Sequence, residues 1–249
     1  MYLLGLIGNP LGHSRSPELF SDFFCKEGLT DWEYRLFPLQ SINNLHALIE
    51  KQPQLLGFNV TIPYKTVIIP FLDQISPEAL EVGAVNTVCI RRNGSHYSLI
   101  GYNTDVFGFE TLLLSAGAET SDKALVLGSG GASKAIICVL KKHNIPCSVA
   151  SRNPQSGQIS YGEIGESTIK THNLIINTTP LGMHPDENAY PPIPYDYLTP
   201  RHTAIDLVYN PEITLFMQKA IKQGAPAFNG MFMLQKQAEK AWELFNQKQ

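Results

Sequence analysis

Residues 123–152 constrain the fold of this chain more than any other stretch. An apolar run (123–127) leads into Gly128-Ser129-Gly130-Gly131-Ala132-Ser133, then an amphipathic segment (134–142), then a second apolar run ending at Ser151-Arg152. This is the order and length of a βαβ unit that binds a dinucleotide. Gly128 suits the tight turn, and Gly130 lets backbone approach a pyrophosphate. The helix start behind them supplies unpaired N–H groups and a positive dipole end. Ser133 stands at the third fingerprint position, where Gly or Ala is usual. The end of the second strand bears on which dinucleotide is bound. An Asp or Glu there would hold a ribose 2′-hydroxyl and repel a 2′-phosphate, whereas Ser151 and Arg152 would hold the phosphate. The reading is therefore NADP(H) over NAD. The plainer alternative is a βαβ unit without a dinucleotide, in which Arg152 is only a solvated side chain.

A chain of 249 residues, 43% hydrophobic and 16% charged, suits one large folded domain or two smaller ones. The formal net charge is -3 and there is no basic run, which argues against a nucleic-acid partner. No apolar run reaches membrane-spanning length, so no membrane partner is expected. The apolar start, residues 1–8, reads as a buried first strand rather than a signal peptide. Cys25, Cys89, Cys138 and Cys147 show neither a C-x-x-C pair nor metal-ligand spacing with histidine. They read as reduced core residues of a cytoplasmic protein, and no metal is expected.

Strands are expected at 2–8, 32–37 and 55–60, and helices at 41–51 and after Pro63. Ser16-Pro17-Glu18 and Ser76-Pro77-Glu78 read as helix starts, with Ser16 as N-cap and Pro17 as first helical residue. Asn93-Gly94 between apolar segments at 85–91 and 96–101 is a hairpin signal. Thr104 or Asp105 can cap a helix that runs to about Ala116. A second α/β series follows, with strands near 173–177 and 203–208 and helices at 212–223 and 230–247. A proline-rich loop spans 180–200. The expected architecture is α/β in two domains separated by a cleft. Residues 1–103 would form a substrate-binding domain, joined by the C-terminal helix 230–249. Residues 104–229 would form a Rossmann-like NADP-binding domain.

The first domain places polar side chains at element ends. Ser14 and Ser16 put two hydroxyls at a helix start, which suits a carboxylate. Residues 58–65 deliver Asn59, Thr61 and Lys65; residues 83–87 deliver Asn86; residues 101–105 deliver Asp105. Each alone has an ordinary explanation, such as a solvated lysine or an N-cap carboxylate. Together they fit a small, polyhydroxylated, anionic substrate.

These segments together resemble the shikimate dehydrogenase family. The matching pieces are His13-Ser14-Arg15-Ser16-Pro17, Asn59-Val60-Thr61-Ile62-Pro63-Tyr64-Lys65, Gly83-Ala84-Val85-Asn86-Thr87 and Asn103-Thr104-Asp105. Gly128-Ser129-Gly130-Gly131-Ala132, Asn177-Thr178-Thr179-Pro180-Leu181-Gly182-Met183, Asp206-Leu207-Val208-Tyr209 and Gly230-Met231 with Gln235 match as well. The resemblance implies reversible NADPH-dependent reduction of 3-dehydroshikimate to shikimate, in the shikimate pathway of aromatic amino-acid biosynthesis. It implies that Ser14 and Ser16 hold the substrate carboxylate. Asn59, Thr61, Asn86, Asp105 and Gln235 would bind its hydroxyls, with Tyr209 nearby, and Lys65 and Asp105 would be the catalytic pair. Gly128, Gly130, Gly131 and Ala132 would line the pyrophosphate, and Ser151 and Arg152 the 2′-phosphate. Thr178, within 177–183, would border the nicotinamide, and Gly230 would lie on the cofactor. The chain departs from the family pattern in one place. Many members carry Asn-Arg-Thr and a second arginine, where this chain has Ser151-Arg152-Asn153 and Ser156. That leaves one arginine for the phosphate.

Hydride delivery to a ketone carbon makes an alkoxide that needs a proton or a positive neighbour, and Lys65 is the candidate in the matched segments. Desolvation would favour a lysine base, while pairing with Asp105 favours the charged form, so both proton transfer and electrostatic stabilisation remain open. Other readings are a quinate-accepting or NAD-using member of the family, an enzyme like methylenetetrahydrofolate dehydrogenase, and a catalytically silent NADP-sensing module. The Ser14/Ser16 pair argues against the folate enzyme. Retention of Asn59, Lys65, Asn86 and Asp105 argues against the silent module. The assembly is expected to be a monomer or homodimer.

Overall fold

The computed structural model describes residues 1–12, 14–94, 96–117 and 122–247. His13 of the first matching motif lies outside the described residues, as do Lys248 and Gln249 of the expected C-terminal helix. The chain divides into two compact units, Met1–Phe107 with Gln235–Gln249, and Gly108–Leu234.

The first unit carries β1 (Tyr2–Gly8), α1 (Ser16–Lys26), β2 (Trp32–Pro38), α2 (Leu45–Lys51), β3 (Leu55–Val60), β4 (Gln74–Ile75), α3 (Pro77–Val82), β5 (Thr87–Asn93) and β6 (His96–Tyr102). Its mixed sheet runs β2-β1-β3-β5-β6-β4. β1 is parallel to β2 and β3, whereas β5 is antiparallel to β3 and β6. Side chains of a strand alternate between faces. Leu3, Ile7, Phe58 and Val60 face one core, shared with Leu45 and Ile49 of α2. Leu4, Leu6 and Tyr34 face another, shared with Phe20 and Phe24 of α1.

Several element ends follow from local chemistry. The Ser76 side chain accepts from the Ala79 N–H and caps α3, with Pro77 just inside. The hairpin forms with Asn93 paired to His96, so the chain reverses one residue later than the Asn93-Gly94 signal places it. Two expectations fail. Ser16 is not an N-cap: α1 already includes it, Arg15 occupies the cap, and the Arg15 carbonyl accepts from the Leu19 N–H. No α-helix follows Pro63; that segment holds only turns and a 3-10 turn at Ile69–Phe71. Pro70 has no N–H for a second helical turn there.

α4 (Asp105–Ser115) leads into the second unit, which carries β7 (Ala124–Leu127), α5 (Gly131–Lys142), β8 (Cys147–Ser151), β9 (Gln158–Ser160), α6 (Glu166–Thr171), β10 (Leu174–Asn177), β11 (Thr203–Asp206), α7 (Leu215–Lys222) and β12 (Ala227–Phe228). β7 and β10 are buried throughout, as strands covered on both faces must be. The sheet order is β12-β11-β10-β7-β8-β9 and every pairing is parallel. Counted from β7, this is the doubly wound order 3-2-1-4-5-6 of a Rossmann fold, with its switch point between β7 and β10. α7 starts at Leu215, later than expected, because the Thr214 hydroxyl accepts from Met217 N–H and sets the cap there. α8 (Met231–Phe245) begins in the second unit and ends in the first, where Ala238, Ala241, Leu244 and Phe245 join the α1 core.

Cys89 is buried, but Cys25 is exposed and so is not the core residue expected; none of the four cysteines is in a disulfide. Among the described residues, no helix is long and apolar enough to cross a membrane.

Candidate functional site

In the first unit, Lys65, Asn86 and Asp105 meet at the start of α4, with Asn59 of β3 bonded to the Asn86 carbonyl. Lys65 Nζ lies 2.6 Å from Asp105 Oδ2, in a pair whose side chains are only 17% and 8% exposed. The other Asp105 oxygen accepts from Asn86 Nδ2 at 2.9 Å. Asn86 Oδ1 accepts from the Thr104 N–H at 2.7 Å, which fixes its amide against the start of α4. Asp105 is the first residue of α4. Its carboxylate is turned to a lysine and an amide, while the Val106 N–H is met by Asn103 Oδ1. An ammonium held by a carboxylate that is itself anchored is a fixed positive charge, able to meet a developing alkoxide or pass it a proton.

Ser14 and Ser16 flank the entry to α1. Ser14 Oγ accepts from the Ser16 N–H at 3.3 Å. The Ser16 side chain lies close enough to the Tyr34 phenol to act on it. Thr61 follows β3, with its N–H on the Ile7 carbonyl. Asn59 is buried and turned inward, with its amide hydrogens on Thr87 Oγ1 (3.0 Å) and the Asn86 carbonyl (3.4 Å). Gln235 is exposed and borders a groove of about 290 Å³ between α1 and α8, with Phe23 and Trp242. Its neighbour Gln237 points the other way, buried against Thr104 Oγ1 at 3.2 Å, since two helical steps turn a side chain by about 200°.

In the second unit, Gly128 leaves β7 at φ +109, a conformation side chains resist; a Cβ there would also lie 2.7 Å from Thr178 Oγ1. Thr178 donates its hydroxyl and its N–H to the Leu127 carbonyl, so the β7 and β10 ends close together at the switch point. Gly130 caps α5 with no side-chain bond, and a Cβ on it would meet nothing within 4 Å. The protein's own packing therefore does not demand this glycine. The open space faces the N-terminus of α5, where Gly131 and Ala132 begin the helix, and suits a diphosphate. Ser133, at the unusual fingerprint position, is buried and donates to the Gly130 carbonyl at 2.7 Å. Ser151 ends β8, 3.0 Å from Ser129 Oγ, and accepts from the Asn153 N–H. Arg152 is exposed and close enough for its charge to act on the Tyr161 phenol. With no acid at this strand end, these residues fit a phosphorylated ribose.

Gly230 is buried, and a Cβ there would come within 2.1 Å of the Leu207 carbonyl, so close backbone approach alone requires it. Tyr209 follows β11 and is half-buried. Asn177 and Asp206, at the paired ends of β10 and β11, form a buried polar hub. Asn177 Nδ2 donates to Asp206 Oδ1 at 2.9 Å, and Asn177 Oδ1 accepts from the N–H and hydroxyl of Thr179. Asp206 also accepts from the Val208 N–H and the Thr214 hydroxyl, while burial pushes its carboxyl up to about 6. Sequence reasoning gave no role to Tyr34, Thr87, Gln237 or this carboxylate, and gave Thr104 only that of a helix cap. Thr87 and Thr104 sit inside matching motifs, whereas Tyr34 carries no local signal.

The model of the shikimate dehydrogenase substrate binding domain matches residues 6–88. A shikimate dehydrogenase (NADP(+)) of Methanococcus maripaludis is 38% identical over 98% of this chain and 90% of its own. The chain belongs to the shikimate dehydrogenase family. The crystal structure of the Thermus thermophilus shikimate 5-dehydrogenase with NADP(H) and shikimate is 30% identical, with a TM-score of 0.86 over 99% of this chain and 94% of that one. A quinate dehydrogenase from Corynebacterium glutamicum in complex with NAD is 28% identical, with a TM-score of 0.84 over 98% and 93%.

Proposed function

We infer that this protein is an NADP-dependent oxidoreductase that interconverts 3-dehydroshikimate and shikimate. The observation that carries the reading is the Lys65–Asp105 pair, anchored by Asn86 in a chain of this family. When bound, NADPH supplies the hydride. The protein's own residues do the rest. Ser14 and Ser16 at the start of α1 hold the substrate carboxylate, with Thr61 and Asn86 close to the ring hydroxyls. Asp105 accepts from a substrate hydroxyl while keeping Lys65 Nζ in place. Lys65 neutralises the oxygen of the reduced carbonyl, by charge or by proton. Gly128, Gly130, Gly131 and Ala132 cradle the diphosphate, and Ser151 and Arg152 hold the 2′-phosphate.

Arg152 and the absence of an acid at the end of β8 favour NADP over the NAD bound by the quinate dehydrogenase. Shikimate chemistry of this kind belongs in the cytoplasm, where the thiol of Cys89 stays reduced. Reduction of NADP+ on adding shikimate tests the reading, with quinate and NAD+ as parallel arms. Fast turnover is expected with shikimate and NADP+ together and slow turnover with either substitute. Faster turnover with quinate and NAD+ would overturn the assignment.

A further inference from the structure

We propose that Tyr34 is a positioning residue, the head of a hydrogen-bond chain that starts beside Ser16 and ends on the Lys65–Asp105 pair. Tyr34 sits on β2, at the edge of the first sheet, with its ring stacked on Phe20 of α1 at 4.3 Å and 9°. The Ser16 side chain lies beside the phenol, close enough to act on it. The phenol proton goes to Asn59 Oδ1 at 2.9 Å. That orients the Asn59 amide, and Nδ2 donates to Thr87 Oγ1, directly across the β3–β5 ladder. Thr87 donates to Asn86 Oδ1 at 3.1 Å, Asn86 Nδ2 donates to Asp105 Oδ1, and Asp105 Oδ2 accepts from Lys65.

Every member is buried except Lys65, which is nearly so, and a buried group left without its partner is costly. The Asn59 amide takes its direction from the phenol, and the Asn86 amide from Thr87 together with the Thr104 N–H. The phenol gives its proton to Asn59 Oδ1, so Asn59 presents oxygen to Tyr34 and nitrogen to Thr87. With its oxygen on Thr87 and the Thr104 N–H, Asn86 turns its nitrogen to Asp105. Hydrogen bonds in such series polarise one another, and the series ends on the carboxylate that holds the lysine. On this account Asn59 orients the site and does not itself bind substrate.

The roles of Ser16 and Lys65 rest on the proposed function, so the test includes a substrate-free readout. Tyr34→Phe keeps the stack on Phe20 and removes the head of the chain. NMR exchange of the Asn59 and Asn86 side-chain amides reads the chain directly. Both are expected to be slow in the wild type and to speed up at least about tenfold in Tyr34→Phe, the factor for one lost hydrogen bond. An Asn86 amide unchanged while that of Asn59 exchanges freely would overturn the proposal. In the assay, Tyr34→Phe should raise the shikimate KM through Ser16, lower kcat and shift the pH profile of kcat. Thr87→Val, which cuts the chain past Asn59, should lower kcat and shift that profile with little change in KM. A merely structural tyrosine would lower Tm in both variants and leave the KM-against-kcat split and the pH profile untouched, which would also overturn it. A wild type that turns over no shikimate would refute the functional reading alone, because the amide exchange still decides on the chain.

Discussion

Lys65 gains its importance from what surrounds it. A solvated lysine exchanges partners freely, but this one is four-fifths buried and tied to a carboxylate whose other oxygen is held by Asn86. Lys65→Met keeps the apolar stem and removes the charge. If the ammonium acts mainly on the transition state, kcat falls by roughly two to four orders of magnitude and shikimate KM changes far less. A variant with near-normal kcat would remove Lys65 from the mechanism. At the other ligand, Arg152 follows β8, exposed and close enough for its charge to act on Tyr161. Arg152→Ala should raise the KM for NADP+ by more than tenfold, the effect of losing about 1.5–3 kcal/mol of charge-assisted bonding. The weak NAD+ reaction should stay as it is; equal losses with both cofactors would contradict the 2′-phosphate contact.

At the scale of the element, paired strand ends act as small machines. Asp206 ends β11, fully buried, and gathers Asn177, Val208 and Thr214 around one carboxylate. Burial outweighs these donors and raises its pKa from 3.8 to about 6. The folded state therefore binds the proton more tightly than the unfolded chain. The stabilisation is full below pH 3.8 and is lost as pH rises through about 6. The swing amounts to about 3 kcal/mol at most, at 1.36 kcal/mol per pKa unit. Urea unfolding at pH 4.5 and pH 7 checks this. The loss of stability between the two should be smaller in Asp206→Asn than in the wild type, and equal losses would contradict it.

Elements were legible in the sequence where their signals are local. Ser76-Pro77 starts α3 as read, and the glycine loop at 128–131 turns β7 into α5 as read. The helix after Pro63 was misread because Pro70 outweighs the apolar residues around it. The start of α1 was misread because the helix begins one residue earlier, with Arg15 at the cap and Ser16 already inside. The motif-borne residues Lys65, Asn86 and Asp105 do come together as expected. Tyr34 was out of reach, since its partner Asn59 lies 25 residues away in sequence and only the sheet order brings them close.

At the scale of the whole molecule, each compact unit has its own sheet and its own proposed ligand. Hydrogen exchange can read them separately. NADP+ alone should protect amides at 128–133 and along β7 and β8, whereas shikimate alone should protect β3, β5 and the start of α4. Either ligand at a hundred times its Kd adds about 2.7 kcal/mol to the unit it binds. Protection of β3 by NADP+ with the 128–133 loop unchanged would reverse the assignment of ligands to units.

The path of α8 has a consequence for how the protein is made. The ribosome releases the first sheet before any of the second unit, yet the core beside α1 lacks Ala238, Ala241, Leu244 and Phe245 until α8 has been translated. The second unit, continuous in sequence, can close as soon as it emerges. The unit begun first is therefore finished last, and Phe20, Phe24 and Leu4 face water or a chaperone while more than a hundred further residues are added at about 5–20 per second.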